Sequence, residues 1–193
     1  RSNQTSIFSL CRQAGLVSGA AAYFWMSELY NRAPFDKHRD RIQFETGDGL
    51  IDYGMYYWED TYPDSHLFMD GEMIRKIYHP DFMLYHPMSI DLAGHTCGAD
   101  SREYAGKVAD MGVLIADILP FWLEDGYQVV VTADHGMDEN GIHCGIADLQ
   151  RDVPLYIFSP LVENGRFEDH YIGQRNIAPM LCRLLGLKAS DAM

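Results

Sequence analysis

The sequence predicts an α/β fold, a three-layer domain with a mainly parallel sheet flanked by helices. Three observations carry that expectation. Helix-like and strand-like stretches alternate, with helix-then-strand units at 5–14 and 16–24, at 65–78 and 82–86, and at 100–124 and 127–132. Such alternation builds parallel sheets. The runs Phe82-Met-Leu-Tyr-His86 and Tyr127-Gln-Val-Val-Val-Thr132 are short, apolar and rich in β-branched or aromatic residues, and read as buried strands. Both run out into glycine-rich loops that carry Asp and His, and open α/β sheets place their chemistry just beyond the carboxyl ends of strands.

The first element is a helix over Thr5–Ala14, with Thr5 as its N-cap and Gly15 closing its end. The strand 16–24 that follows is rich in Gly and Ala, which predicts close packing against a helix. From Trp25 to Asp64 the pattern loosens, and residues 25–64 read as an insertion or cap-like segment. Tyr53, Tyr56, Tyr57, Trp58 and Tyr62 form an aromatic patch there, read first as satellite core and second as a stacking wall for a planar group. The amphipathic helix 65–78 is expected to turn Leu67, Met73, Ile74 and Ile77 inward. His79-Pro80 stops it before strand 82–86. The longest helical pattern runs over 100–124, with an acidic start and with Pro120 expected to kink or divide it. Gly126 turns the chain into strand 127–132, a further strand follows at 153–158, Asn164-Gly165 reads as a tight turn, and a terminal helix covers 173–185. The strands near 16–24, 82–86, 127–132 and 153–158 are expected to share one sheet.

Two stretches carry chemistry. Strand 127–132 delivers Asp134 and His135, with His143 following on the same loop. Strand 82–86 delivers Asp91 and His95, four residues apart and flanked by Gly94 and Gly98 on what reads as a second loop. Two carboxylates and three imidazoles suit zinc, or another first-row divalent ion such as manganese. Any one of these histidines alone is more simply a hydrogen-bonded loop residue, but five such residues on two strand ends form a pattern.

The run Asp-x-x-Gly-His-x-x-Gly, then Thr-Ala-Asp-His-Gly-Met, then Gly-x-His-x-Gly resembles the alkaline phosphatase superfamily, in its type I phosphodiesterase/nucleotide pyrophosphatase branch. The resemblance implies an alkaline phosphatase-like domain spanning most of residues 1–193 and a site for two divalent ions. One ion would take Asp91, His95 and His143, and the other Asp134 and His135 together with an upstream Asp and a Thr or Ser nucleophile. Those last two residues are expected ahead of Arg1, so the nucleophile is unassigned and the chain reads as the later part of the catalytic domain, inactive by itself. Thr5 reads better as a helix cap than as a substitute, and none of Cys11, Cys97, Cys144 and Cys182 begins a sulfatase-like Cys-x-Pro-x-Arg motif. The implied activity of the whole protein is metal-dependent hydrolysis of phosphodiester or pyrophosphate bonds in nucleotide-like substrates. Phosphomutase, phosphonate hydrolase and phosphoethanolamine transferase activities, or a silent metal-binding domain, are the alternatives.

The net charge of −13 and the absence of a basic stripe argue against a nucleic-acid polymer as partner. A small phosphorylated substrate stays open, because bound cations invert the local charge. Four cysteines do not make a disulfide framework. Cys11 and Cys182 read as buried thiols, and Cys97 and Cys144 as small loop residues beside the proposed ligands. The residues contain no membrane-spanning run. A soluble chain is expected, with the compartment open and the cytoplasm slightly favoured. Self-association through an uncovered sheet edge is a further expectation.

Overall fold

A computed structural model describes residues 2–45, 47–168 and 171–191. The chain divides into two compact units, one running to Pro87 and resuming from Phe167, the other Met88–Arg166.

The first unit holds a four-stranded sheet. Helix α1 (Ile7–Gln13) leads to β1 (Ser18–Tyr23). Short helices α2 (Trp25–Tyr30) and α3 (Lys37–Asp40) precede β2 (Ile42–Phe44) and β3 (Tyr53–Tyr57), and α4 (Asp64–Tyr78) leads to β4 (Phe82–His86). The strand order is β2-β3-β1-β4. Strand β1 pairs in parallel with both β3 and β4, with Ala20 opposite Gly54 and Leu84, while β2 adds an antiparallel edge. The sheet is therefore mainly parallel.

Strand β1 is buried along its whole length because its side chains are small. Its residues alternate between the two faces of the sheet. Ala20 and Ala22 pack with Phe8 of α1, Ile51 and Tyr56 in one core cluster. Gly19 faces the other way, where a Cβ would lie 2.6 Å from the Met83 sulfur and 3.0 Å from Ile74 of α4. The Gly/Ala run thus fits a strand tightly covered by a helix, as expected, and helices flank both faces. At the head of β1, Asp81 accepts from the Val17 amide at 2.8 Å and Asp52 from the Ser18 amide at 2.8 Å.

Residues 25–64 do not stand apart from this sheet: they supply β2 and β3. Of their aromatic patch Tyr56 and Tyr57 are core, with the Tyr57 hydroxyl donating to the His86 carbonyl at 2.9 Å, while Tyr53 and Tyr62 are half-buried and Trp58 is exposed. Ser6, not Thr5, caps α1, in a reciprocal capping box with Ser9. On α4 the expected face is partly rotated. Ile77 is 58% exposed, while Glu72 and Arg75 are buried as an ion pair at 2.7 Å, with the Tyr85 hydroxyl donating to Glu72. The first unit also takes the terminal helix, a 3-10 turn at Gln174–Asn176 running into α8 (Ile177–Leu184). Cys182 of α8 and Cys11 of α1 are both buried free thiols, and burial first, then the neighbouring Cys182, pushes the Cys11 thiol up to about 11.

The second unit contains α5 (Ser89–Cys97), α6 (Arg102–Glu124), β5 (Val129–Thr132), α7 (Asp148–Arg151) and β6 (Leu155–Phe158). Strands β5 and β6 pair antiparallel as a separate two-stranded sheet, Val130 opposite Ile157. This overturns the expectation that all four strands share one sheet. Ser101 caps α6 by accepting from the Tyr104 amide at 3.1 Å. Pro120 does not divide that helix, which runs unbroken from Arg102 to Glu124. The chain after β6 turns at 160–161, ahead of the expected Asn164-Gly165 turn.

Candidate metal centre

All five proposed ligands lie in the second unit. Asp91 and His95 sit on α5, not on a loop, and their i,i+4 spacing puts them on one face of that helix. Gly94 between them is buried, because a Cβ there would lie within 3 Å of Met137 and near the Tyr104 ring. Asp134 and His135 follow β5 directly, and His143 lies on the long connection from β5 to α7. Gly136 serves close packing, not a left-handed turn: a Cβ there would collide with the Leu149 carbonyl.

These elements bring the side chains together. Asp91, His135 and His143 each offer a ligand atom, all within 4.8 Å of one another. The Nε2 of His95 lies 3.6 Å from Asp91 Oδ2, and the Nε2 of His135 lies 3.8 Å from Asp91 Oδ1 and 3.6 Å from Asp134 Oδ2. The His143 ring stacks on His135 at 3.8 Å and lies 5.0 Å from His95. The tightest trio therefore contains His135 where the resemblance puts His95. The reason is that the two oxygens of Asp91 face different imidazoles.

The outer nitrogens show how the rings are held. His95 Nδ1 lies 2.8 Å from the Gly141 carbonyl and His135 Nδ1 lies 3.0 Å from the Gly136 carbonyl. A carbonyl only accepts, so in neutral imidazoles each Nδ1 carries the proton and each Nε2 presents its lone pair to the cluster. Carbonyl-backed histidines of this kind are what metal sites use to fix tautomer and ring orientation. His143 Nδ1 instead meets Cys144 Sγ at 2.8 Å.

Asp91 Oδ1 is buried with no hydrogen-bond partner. A buried carboxylate oxygen facing an imidazole lone pair is an arrangement that a cation satisfies and an empty interior does not. The donor set, carboxylate oxygens and imidazole nitrogens, matches zinc or a similar divalent ion. Tyr104 of α6, packed against Gly94, has its phenol held above its usual range by burial and by the Asp91 charge. Cys97 and Cys144 are both exposed and free.

The Gly141 carbonyl escaped the sequence reading. Gly141 adopts φ +72°, and a Cβ there would lie 2.6 Å from the Gly94 carbonyl and 3.1 Å from His95 Cα. Only a glycine brings its backbone this close to α5.

Comparison with known proteins adds an independent line. The profile of the family described as type I phosphodiesterase / nucleotide pyrophosphatase matches residues 4–154. The chain is 33% identical over 110 residues to the human GPI ethanolamine phosphate transferase 3, catalytic subunit, a match covering 55% of this chain and 10% of that protein. It is 25% identical over 145 residues to the Saccharomyces cerevisiae GPI ethanolamine phosphate transferase 2, covering 65% of this chain and 18% of that one. The chain thus spans a small fraction of the length of the curated relatives it matches. Among solved structures it is similar to murine ectonucleotide pyrophosphatase / phosphodiesterase 5, with a TM-score of 0.48 and 19% identity, over 69% of this chain and 33% of that one. The human form of that protein gives a TM-score of 0.47 at 19% identity, over 68% and 32%. No helix among the described residues is long and apolar enough to cross a membrane. The cytoplasmic expectation finds no support in these relatives.

Proposed function

The chain belongs to the type I phosphodiesterase / nucleotide pyrophosphatase family of the alkaline phosphatase superfamily, and from that premise we propose that it carries the metal-holding part of a phosphoryl-transfer site. Members of the family are typically dependent on divalent metal ions. The observation that carries the reading is the convergence of Asp91, His95, Asp134, His135 and His143, with an unsatisfied carboxylate oxygen at its centre. In this reading Asp91, His95 and His143 hold one ion, and Asp134 and His135 contribute to the second. Zinc is the first choice and manganese the second. Bound there, divalent ions supply neutralisation of phosphoryl oxygens and activation of an oxygen nucleophile. The chain's residues supply the charge and the geometry. Two carboxylates balance the cations, and the Gly141 and Gly136 carbonyls lock the His95 and His135 rings with Nε2 inward.

For the whole protein the favoured reaction is transfer of a phosphoethanolamine group to an acceptor hydroxyl. Its support is the naming of the curated relatives as ethanolamine phosphate transferases, at 33% identity for the human protein. The P–O bond to the donor's leaving oxygen breaks, a new P–O bond to the acceptor oxygen forms, and the acceptor's proton passes to the departing oxygen. The second reading is hydrolysis of nucleotide-like phosphodiesters or pyrophosphates, favoured by the family description. The test incubates the full-length protein with zinc, a phosphoethanolamine diester and an alcohol acceptor, and separately with a chromogenic phosphodiester. Transfer to the alcohol, lost in His95→Ala, supports the first reading. Release of free phosphoethanolamine alone, or cleavage of the chromogenic ester alone, supports hydrolysis. Activity undiminished by EDTA and by His95→Ala would overturn the metal-centre reading.

A further inference from the structure

We infer that Asp138 is the positioning residue of this site, acting through the loop 138–142 and with Gln150 as its partner. The inference rests on the metal-centre reading above. Asp138 lies between His135 and His143 and touches neither ring. Its Oδ1 accepts from the Asn140 amide at 2.9 Å and from the Ile142 amide at 2.9 Å. Its Oδ2 accepts from Gln150 Nε2 at 2.9 Å. Its own amide donates to the Ile142 carbonyl at 3.1 Å, and its carbonyl accepts from Gly141 at 3.1 Å and from Ala99, just past α5, at 3.0 Å. Both faces of one peptide loop are thus tied to one residue.

The loop matters because of what it presents. Its Gly141 carbonyl is the acceptor for His95 Nδ1, and His143 follows two residues later. If the loop loosens, Nδ1 of His95 loses its acceptor, and the inward lone pair on Nε2 is no longer enforced. Gln150 fixes the polarity of the tie. Its Oε1 accepts from the Ala147 amide at 3.4 Å, so its amino group is the end turned to Asp138. The pair therefore needs an acceptor at 138 and a donor at 150, or the reverse.

That polarity supplies the experiment. Asp138→Asn keeps one oxygen for the two loop amides but sets its amino group against that of Gln150. Gln150→Glu sets two carboxylates against each other. The double variant, Asp138→Asn with Gln150→Glu, restores one donor facing one acceptor between the two side chains and gives up only the longer bond, 3.4 Å, from Gln150 Nε2 to the Ile142 carbonyl. Two measurements are made on the 193-residue chain. Long-range 1H–15N spectra of the metal-free chain read the His95 tautomer, and competition titration reads zinc affinity. The wild-type chain should show His95 protonated at Nδ1. Each single variant should lose that signature and bind zinc 10–100-fold more weakly, as removal of outer hydrogen-bond partners typically does. The double variant should recover both. Unchanged Nδ1 protonation in Asp138→Asn overturns the positioning role. So does a double variant no better than the singles, or one that stays unfolded where a single variant unfolds. If the wild-type chain binds no zinc while the tautomer follows the swap, the positioning role stands and the metal-centre reading falls.

Discussion

Replacing Asp91 by asparagine should stabilise the metal-free chain and abolish its stabilisation by zinc. In the metal-free chain Asp91 Oδ1 is buried without a donor. The nearest imidazole nitrogens, His95 Nε2 at 3.6 Å from Oδ2 and His135 Nε2 at 3.8 Å from Oδ1, are beyond hydrogen-bond range and present lone pairs, not protons. An unsatisfied buried acceptor costs about 1–3 kcal/mol, and more when charged. The Asp91 side chain keeps 22% of its exposure, which places the cost near the low end of that range. Asparagine has the same shape and removes the buried, uncompensated charge, which recovers about 1 kcal/mol. Zinc acts in the opposite direction: a ligand that binds only the folded chain at 100 times its Kd stabilises by about 2.7 kcal/mol. For a chain of this length 1 kcal/mol moves Tm by roughly 2–4 °C. Thermal melts by far-UV circular dichroism, in EDTA and in zinc, should therefore show the variant melting about 2–4 °C above wild type without metal. With zinc, wild type should rise by about 5–11 °C and the variant should stay put. A variant destabilised in EDTA would show that Oδ1 is satisfied. A variant that keeps the zinc shift would remove Asp91 from the ligand set.

Three further expectations follow, two on the first unit and one on the cysteines of both units. Arg75→Met should cost about 3–5 kcal/mol in urea unfolding by stranding the buried Glu72 carboxylate, whereas the double change with Glu72→Leu should recover most of that loss; equal losses would show that the pair is not effectively desolvated. Hydrogen bonds from Arg39 hold Asp40 below its usual carboxyl range, so this contribution is fully present above the unfolded value near 3.8 and is lost as pH falls through the lower folded value; Asp40→Asn should flatten the acid limb of the stability curve, and an unchanged limb would refute the assignment. Cys97 and Cys144 should react with a thiol reagent at pH 8 in the native chain and the buried Cys11 and Cys182 should not. Because burial raises the Cys11 thiol to about 11, its contribution holds below pH 9 and fades as pH rises through 11; four fast thiols at pH 8 would contradict this packing.

What could be read from the sequence, and what could not, divides along the range of the interactions. The helix-then-strand units were legible because apolar runs, Gly15, Gly126 and His79-Pro80 act locally. Strand β4 lies where the run 82–86 predicted it. The small residues of β1 announced the close helix that Ile74 provides. Strand pairing is not local, and nothing in Val129–Thr132 says that its partner is Leu155–Phe158, antiparallel and outside the larger sheet. The α4 face was misjudged because apolar periodicity does not register a buried Glu72–Arg75 pair. At the site, the residue types and their convergence were legible in the Asp/His motifs, whereas α5 was mistaken for a loop because Gly94 and Gly98 look like breakers. Gly94 is there to admit Met137, and only Gly98, at φ +82°, ends the helix. The Gly141 carbonyl was not legible, because a backbone acceptor carries no residue type.

The measurement closest to the central claim is zinc K-edge X-ray absorption on the zinc-loaded 193-residue chain. Ligation by Asp91, His95, His143 and their neighbours predicts only nitrogen and oxygen scatterers at about 2.0–2.2 Å, with the outer-shell pattern of imidazole. Replacing His95 or His143 by alanine should diminish that pattern. A sulfur shell near 2.3 Å would instead put Cys144 or Cys97 on the metal, and a chain that retains no zinc would contradict the metal centre altogether.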